Sequence, residues 1–186
     1  LFAPLLSVVC IDDLEQGIKF ANSSEYGLTA GLQSLDEEEQ EIWKNRIEAG
    51  NLYINRGITG AIVNRQPFGG MKRSAFGGGI KAGGPNYVSC FVKFTEKEIP
   101  TVSVKSPLSI LLSDEKEKDR LSYAQESYSN AWATVFSQEK DINNLYGESN
   151  HFRYLPLSCI GFRVQEQDSL DDVLLILSAS KTAKVP

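Results

Sequence analysis

Residues 51–85 read NLYINRGITGAIVNRQPFGGMKRSAFGGGIKAGGP. The stretch opens on a strand, Leu52 to Asn55, whose leucine, tyrosine and isoleucine suit a pleated, half-buried surface. From Arg56 to Pro85 the composition changes sharply, to nine glycines, two prolines and few large apolar residues, with no periodicity. An irregular segment of this length is uncommon in a compact domain unless it lines a site, because each of its backbone polar groups needs a partner. The expectation is a short strand feeding a long functional loop.

Toward the N-terminus, the valine-rich run Leu5 to Ile11 predicts a strand, and Asp12-Asp13-Leu14-Glu15 predicts a helix start in which Asp12 caps and Glu15 reaches back. Leu14, Ile18 and Ala21 then recur at helical spacing. A second unit repeats the pattern. Glu37, Glu38 and Glu39 crowd its first turn, Lys44 and Arg46 come late, and Gly50 stands where a left-handed stop would fall. Such alternation predicts an α/β fold with a mostly parallel sheet, the glycine-rich segment lying outside the carboxyl ends of the strands.

Toward the C-terminus, Asn86 to Phe94 suits a helix start or a strand equally, and Thr101 to Lys105 reads as a strand. A different unit begins near Pro107. Leu121, Ala124, Tyr128, Ala131, Trp132 and Val135 trace a helical face behind the charged run 114–120. Ser158 to Val164 reads as a strand, and Ser169-Leu170-Asp171-Asp172 opens a helix through Leu177. This second α/β unit reads as incomplete at Pro186. The expected domains are 1–97, a linking strand or oligomerisation flap at 98–106, and 107–186.

The chain has 186 residues, 41% of them hydrophobic, enough to bury a core. A net charge of −5 without any basic stripe argues against nucleic acid as a partner, and no apolar run approaches the roughly 20 residues that span a bilayer. Cys10, Cys90 and Cys159 are too scattered for a disulfide framework or a metal site, which suits a reducing cytoplasm. The opening Leu1-Phe2-Ala3-Pro4 carries no initiator methionine or signal core, so the chain reads as a piece of a longer protein.

Several local motifs have plainer readings. Gly77-Gly78-Gly79-Ile80-Lys81-Ala82 spells G-x-G-x-x-A, but Met71-Lys72-Arg73-Ser74 before it is no strand and more glycine follows it. Gly70-Met71-Lys72 does not fit a P-loop either. Each cysteine sits among apolar residues, which predicts buried structural thiols rather than nucleophiles. His151 lies in a polar, turn-like stretch without a second metal ligand, and Trp43 and Trp132 are placed to pack in cores.

A constellation of segments remains. Phe2-Ala3-Pro4, then Asn22 through Tyr26-Gly27-Leu28-Thr29-Ala30-Gly31, then Pro67-Phe68-Gly69-Gly70 resemble the aldehyde dehydrogenase family over the first half of the chain. Asn55-Arg56-Gly57-Ile58-Thr59-Gly60-Ala61, joined to Pro67-Phe68-Gly69-Gly70 and Lys81-Ala82-Gly83-Gly84-Pro85, is similar to the branch that oxidises L-glutamate γ-semialdehyde, the open form of pyrroline-5-carboxylate. Gly147-Glu148-Ser149-Asn150 with Phe152-Arg153-Tyr154-Leu155-Pro156 resembles the C-terminal, non-catalytic aldehyde dehydrogenase-like domain of bifunctional proline utilization A proteins. Those proteins join a flavin-dependent proline dehydrogenase to the aldehyde dehydrogenase.

The resemblance implies a bacterial parent that uses NAD, with FAD in a domain outside this chain, and that assembles as a homo-oligomer. It implies a cytoplasmic enzyme able to associate peripherally with a membrane. The family's reaction puts a cysteine thiolate on the aldehyde carbon, passes hydride to NAD and hydrolyses the thioester. None of the three cysteines has the family's surroundings, so no catalytic residue and no metal ligand is expected here. The cofactor-binding glutamate would precede Leu1, and Ala3 stands where the family has glycine. The resemblance assigns Gly60 and Ala61 to the substrate's α-carboxylate, Phe68 to the wall beside the aldehyde chain and Phe2 to the nicotinamide. Small side chains at Gly60 and Ala61 would let two backbone N–H groups approach an anion. An aldehyde dehydrogenase of other specificity and a non-catalytic assembly module remain as alternatives.

Overall fold

Helix α1 (Leu14–Asn22) begins where a carboxylate can hold its free amides. Asp13 sits in extended backbone and accepts the Gln16 N–H at 2.7 Å, while Gln16 Oε1 accepts the Asp12 N–H at 2.8 Å. The expected cap at Asp12 with Glu15 is therefore realised one residue later, because Gln16 occupies the helical position that faces back. Helix α2 (Glu37–Arg46) is capped by Asp36, whose side chain accepts from the Glu38 and Glu39 amides. The computed structural model describes residues 3–76, 79–95 and 97–185, and the chain divides into two units, Leu1–Val92 and Lys93–Pro186.

In the first unit, strands β1 (Tyr26–Gly27) and β2 (Thr29–Leu32) precede α2 and β3 (Asn51–Ile54) follows it. Strands β2 and β3 pair in parallel, from Thr29 opposite Asn51 to Leu32 opposite Ile54, so α2 is the crossover of a βαβ unit. Ile18, Trp43 and Ile47 are buried together, with Leu14, Ala30, Leu32, Leu52 and Ile54 packed against them. Asn22 closes the end of α2, donating to the Arg46 carbonyl and accepting the Glu48 N–H, both at 2.8 Å. The fold class is α/β, as expected. The four-residue ladder is parallel, and a two-residue antiparallel pair joins β1 to β4 (Met71–Lys72). The segment ahead of Gly77, expected to hold no strand, therefore does contain a short one, because Tyr26 and Gly27 supply its ladder.

Other expectations in this unit change. Leu5 to Ile11 is not a strand, because no neighbour among the described residues offers it a ladder, and Leu5, Leu6 and Val8 are exposed. Gly50 is not a left-handed stop. Helix α2 ends on Ile47 in extended backbone, and Gly50 instead permits close approach, since a Cβ there would stand 1.9 Å from the Gly69 carbonyl oxygen. Residues 87–91 form a 3-10 turn, Tyr87–Phe91, neither α-helix nor strand.

The second unit is built on α3 (Glu115–Ala131), capped by Asp114 and prolonged by one π turn, Trp132–Phe136, and on α4 (Leu170–Thr182), capped by Ser169. The two helices enclose Leu121, fully buried, with Leu112, Leu174, Leu175 and Ala124. Arg120 pairs with Asp171 and Asp172, and Gln125 Nε2 donates to Ser178 Oγ at 2.8 Å. A short antiparallel pair joins β5 (Lys140–Asp141) to β6 (His151–Phe152). The expected strands at Thr101–Lys105 and Ser158–Val164 are absent. Polar contacts take the first: Val102 N–H and Lys105 Nζ both bond Asp119 Oδ1, at 3.3 and 2.5 Å. The second has Ile160, Phe162 and Val164 exposed and no ladder partner among the described residues. Trp132 is half-buried rather than core, with Lys184 Nζ 5.4 Å from its ring centre. No described helix is long and apolar enough to cross a membrane.

Candidate substrate loop

Strand β3 ends at Ile54, and the glycine-rich segment leaves from that carboxyl end, where ligands bind in sheets of this kind. Asn55 turns the chain in left-handed backbone (φ 55°) and its side chain is bonded to both ends of Ser34, accepting the N–H at 3.0 Å and donating to the carbonyl at 2.8 Å. Gly60 follows with φ 121°, a conformation that side chains with a Cβ resist. The buried Tyr53 hydroxyl donates to the Gly60 carbonyl at 2.8 Å. Across a trans peptide the carbonyl and the next N–H point in opposite directions, so this bond aims the Ala61 N–H away from Tyr53. Gly60 and Ala61 are exposed, and among the described residues neither N–H meets an acceptor. Arg56 lies 5.2 Å over the Tyr53 ring and donates to the Thr59 carbonyl at 3.4 Å, adding positive charge beside the loop.

The segment then doubles back to the other end of β3. Phe68, half-buried, exchanges both backbone bonds with Ala82, at 3.0 and 2.8 Å. Its neighbours are held by Asn51, which donates to the Pro67 carbonyl at 2.9 Å and accepts the Gly69 N–H at 3.2 Å. Lys81 Nζ reaches the Gly50 carbonyl (2.5 Å), the Gly69 carbonyl (2.6 Å) and Asn51 Oδ1 (3.0 Å). Burial among these neutral oxygens pushes the Lys81 ammonium down to about 8. On the same short stretch, the Gly83 carbonyl accepts the Asn64 N–H at 2.9 Å. Residues 81–83 thus bond both the Phe68 turn and the loop that begins at Gly60. The carboxyl-end expectation holds for Gly60 and Ala61, whereas Phe68 is anchored to the amino end.

Sequence reasoning assigns no role to Tyr53, Asn51 or Lys81. Tyr53 reads simply as a strand residue and Asn51 stands just before that strand. Lys81 enters only as the first residue of the Lys81-Ala82-Gly83-Gly84-Pro85 resemblance and within the rejected dinucleotide motif, whose Gly77 and Gly78 lie outside the described residues. A further, indirect signal lies in the glycines at 50, 69 and 84, which all clear space around Lys81 or the strand end. Phe2 lies outside the described residues. Cys10, Cys90 and Cys159 are exposed, not buried, because the apolar residues beside them, such as Val9, Phe91 and Ile160, are exposed as well. His151 Nδ1 faces Glu139 at 3.2 Å on the surface, and no group of possible metal ligands occurs among the described residues.

The loop thus leaves the carboxyl end of a parallel βαβ unit and is held there largely by bonds to its own backbone. The aldehyde dehydrogenase family profile matches residues 1–96, and the chain belongs to that family. It is 42% identical over 88 residues to a 1-pyrroline-5-carboxylate dehydrogenase of Geobacillus sp. (strain WCH70), covering 47% of this chain and 17% of the relative. It is 47% identical over 93 residues to the bifunctional protein PutA of Rhizobium meliloti, covering 49% of this chain and 7% of that protein. The solved structure of proline utilization A from Corynebacterium freiburgense superposes with a TM-score of 0.72 at 42% identity, over 93% of this chain and 18% of that one. The chain thus spans less than a fifth of each of these proteins.

Proposed function

We propose that the chain is part of an NAD-dependent dehydrogenase that oxidises L-glutamate γ-semialdehyde to L-glutamate in proline catabolism, fused in the parent protein to a flavin-dependent proline dehydrogenase. The observation that carries this reading is the exposed Gly60–Ala61 pair, whose two N–H groups have no protein acceptor among the described residues and sit beside the Arg56 guanidinium. Such a pair suits a substrate that ends in a carboxylate. The names of the relatives support the substrate class, and the superposition over 93% of the chain supports the bifunctional parent.

In this reading Gly60 and Ala61 grip the α-carboxylate, Tyr53 aims their shared peptide, and Phe68 walls the aldehyde chain. NAD supplies the hydride acceptor, and Phe2 is the one residue here assigned beside it. The nucleophilic cysteine belongs to the rest of the parent enzyme. NADH formation by the purified full-length protein with glutamate semialdehyde tests the reading, and it fails if simple aldehydes are oxidised equally well. The 186-residue chain alone is expected to give no turnover.

A further inference from the structure

We propose that Lys81 is a positioning residue, whose ammonium locks the Phe68 turn and the Gly60–Ala61 loop at a fixed separation by clamping both to the amino end of β3. The inference rests on the function proposed above and adds a residue that never touches substrate. Three neutral oxygens receive Nζ, from Gly50, Gly69 and Asn51. Two of these groups, Gly69 and Asn51, flank or hold the peptides on either side of Phe68. The residue after Lys81 pairs with Phe68 itself, and the next one bonds Asn64 at the far side of the Gly60 loop.

The packing leaves little room for another arrangement. A Cβ at Gly69 would meet Lys81 Cγ at 3.0 Å, and one at Gly84 would meet the Lys81 carbonyl oxygen at 3.0 Å and its Cβ at 3.4 Å. Backbones approach this closely only around a side chain that holds its place. Neutral carbonyls arranged about one cation are a costly use of burial unless the cation organises them, since a hydrophobic residue of the same length would avoid the desolvation. The charged groups on neighbouring segments are Lys72, paired with Glu48 at 2.5 Å, Arg73, paired with Glu25 at 2.7 Å, and Arg65; none of them bonds Nζ. The depressed proton affinity of Lys81 follows from burial alone, so its grip weakens as pH rises through about 8.

The test uses the full-length enzyme with 4-oxobutanoate, a carboxylated aldehyde that cannot cyclise with an amine. Lys81→Met is expected to raise KM by about ten- to a hundred-fold while kcat stays within about threefold, because the turn and loop bind ground and transition states alike. Lys81→Arg, which keeps a cation, should recover most of the loss. A folded Lys81→Met enzyme with unchanged KM, or with kcat alone reduced, overturns the proposal. If Lys81→Met does not fold, hydrogen exchange of wild-type peptides spanning 66–70 and 80–84 decides. Protection, corrected for intrinsic rates, should fall between pH 7 and pH 9 in these peptides and not in one from α2. Unchanged protection overturns the proposal. Exchange needs no substrate, so a wrong substrate assignment would show as absent turnover with the pH effect intact.

Discussion

The two units of the chain solve the problem of small size differently. In the second, a leucine cluster between α3 and α4 does the holding, and its polar contacts, such as Arg120 with Asp171 and Asp172, join helix to helix. In the first, the apolar cluster of Ile18, Trp43 and Ile47 packs on a two-strand ladder, and beyond it Gly60, Pro67 and Gly69 are held by polar contacts from Tyr53, Asn51 and Lys81. Side-chain burial sets helices, whereas hydrogen bonds to backbone set loops. The loop is therefore the part that single polar substitutions can move.

The largest effects should come from the two clusters. Trp43→Ala is expected to cost about 3–5 kcal/mol and Leu121→Ala about 2–5 kcal/mol, read from urea unfolding of each unit with a local fluorescence probe. Should Trp43→Ala cost less than about 1 kcal/mol, the first unit would owe its stability to its loop contacts and the contrast would be misdrawn. Gly50→Ala comes next. Its Cβ would fall on the Gly69 carbonyl oxygen, and relieving that overlap is expected to cost about 1–3 kcal/mol. Stability equal to wild type would show that the Phe68 turn can shift without penalty.

A smaller effect is set by pH in the second unit. Hydrogen bonds from the Asn150 and Asn144 amides hold the Asp141 carboxyl below its ordinary range. Its proton affinity is lower in the folded chain, so its contribution is present above the ordinary carboxylate range and lost as pH falls through the lowered value. The Asn150 and Asn144 amide resonances should keep their positions at pH 5 and move only below about pH 4. Movement already at pH 5 would remove Asp141 as the clamp of the turn between β5 and β6.

Legibility in the sequence followed the same division. Both polar-to-apolar periodicities that mark helices, Leu14–Ile18 and Leu121–Ala124, led to real helices, and Ser169 was placed as a cap correctly. Strands fared worse. Leu5–Ile11, Thr101–Lys105 and Ser158–Val164 have strand composition, but a strand exists only where a second one supplies the ladder, and composition does not say whether it does. The Gly60–Ala61 loop was legible because glycine-rich composition is itself a backbone signal, and its proposed role rests on family resemblance. The role of Lys81 was not legible, since the family resemblance marks its segment but says nothing of what its ammonium bonds until the three oxygen partners are in view.

The central claim is that Gly60 and Ala61 hold a carboxylate through main-chain N–H groups. Gly60→Val in the full-length enzyme strains backbone at φ 121° and brings a side chain toward Gln66 and Arg56, displacing the loop. With one hydrogen bond to a charged group lost, kcat/KM for glutamate semialdehyde should fall by about ten- to a hundred-fold, while propanal, which has no carboxylate, should change by less than about threefold. Equal losses for the two aldehydes would contradict the claim and leave only the membership in the aldehyde dehydrogenase family standing.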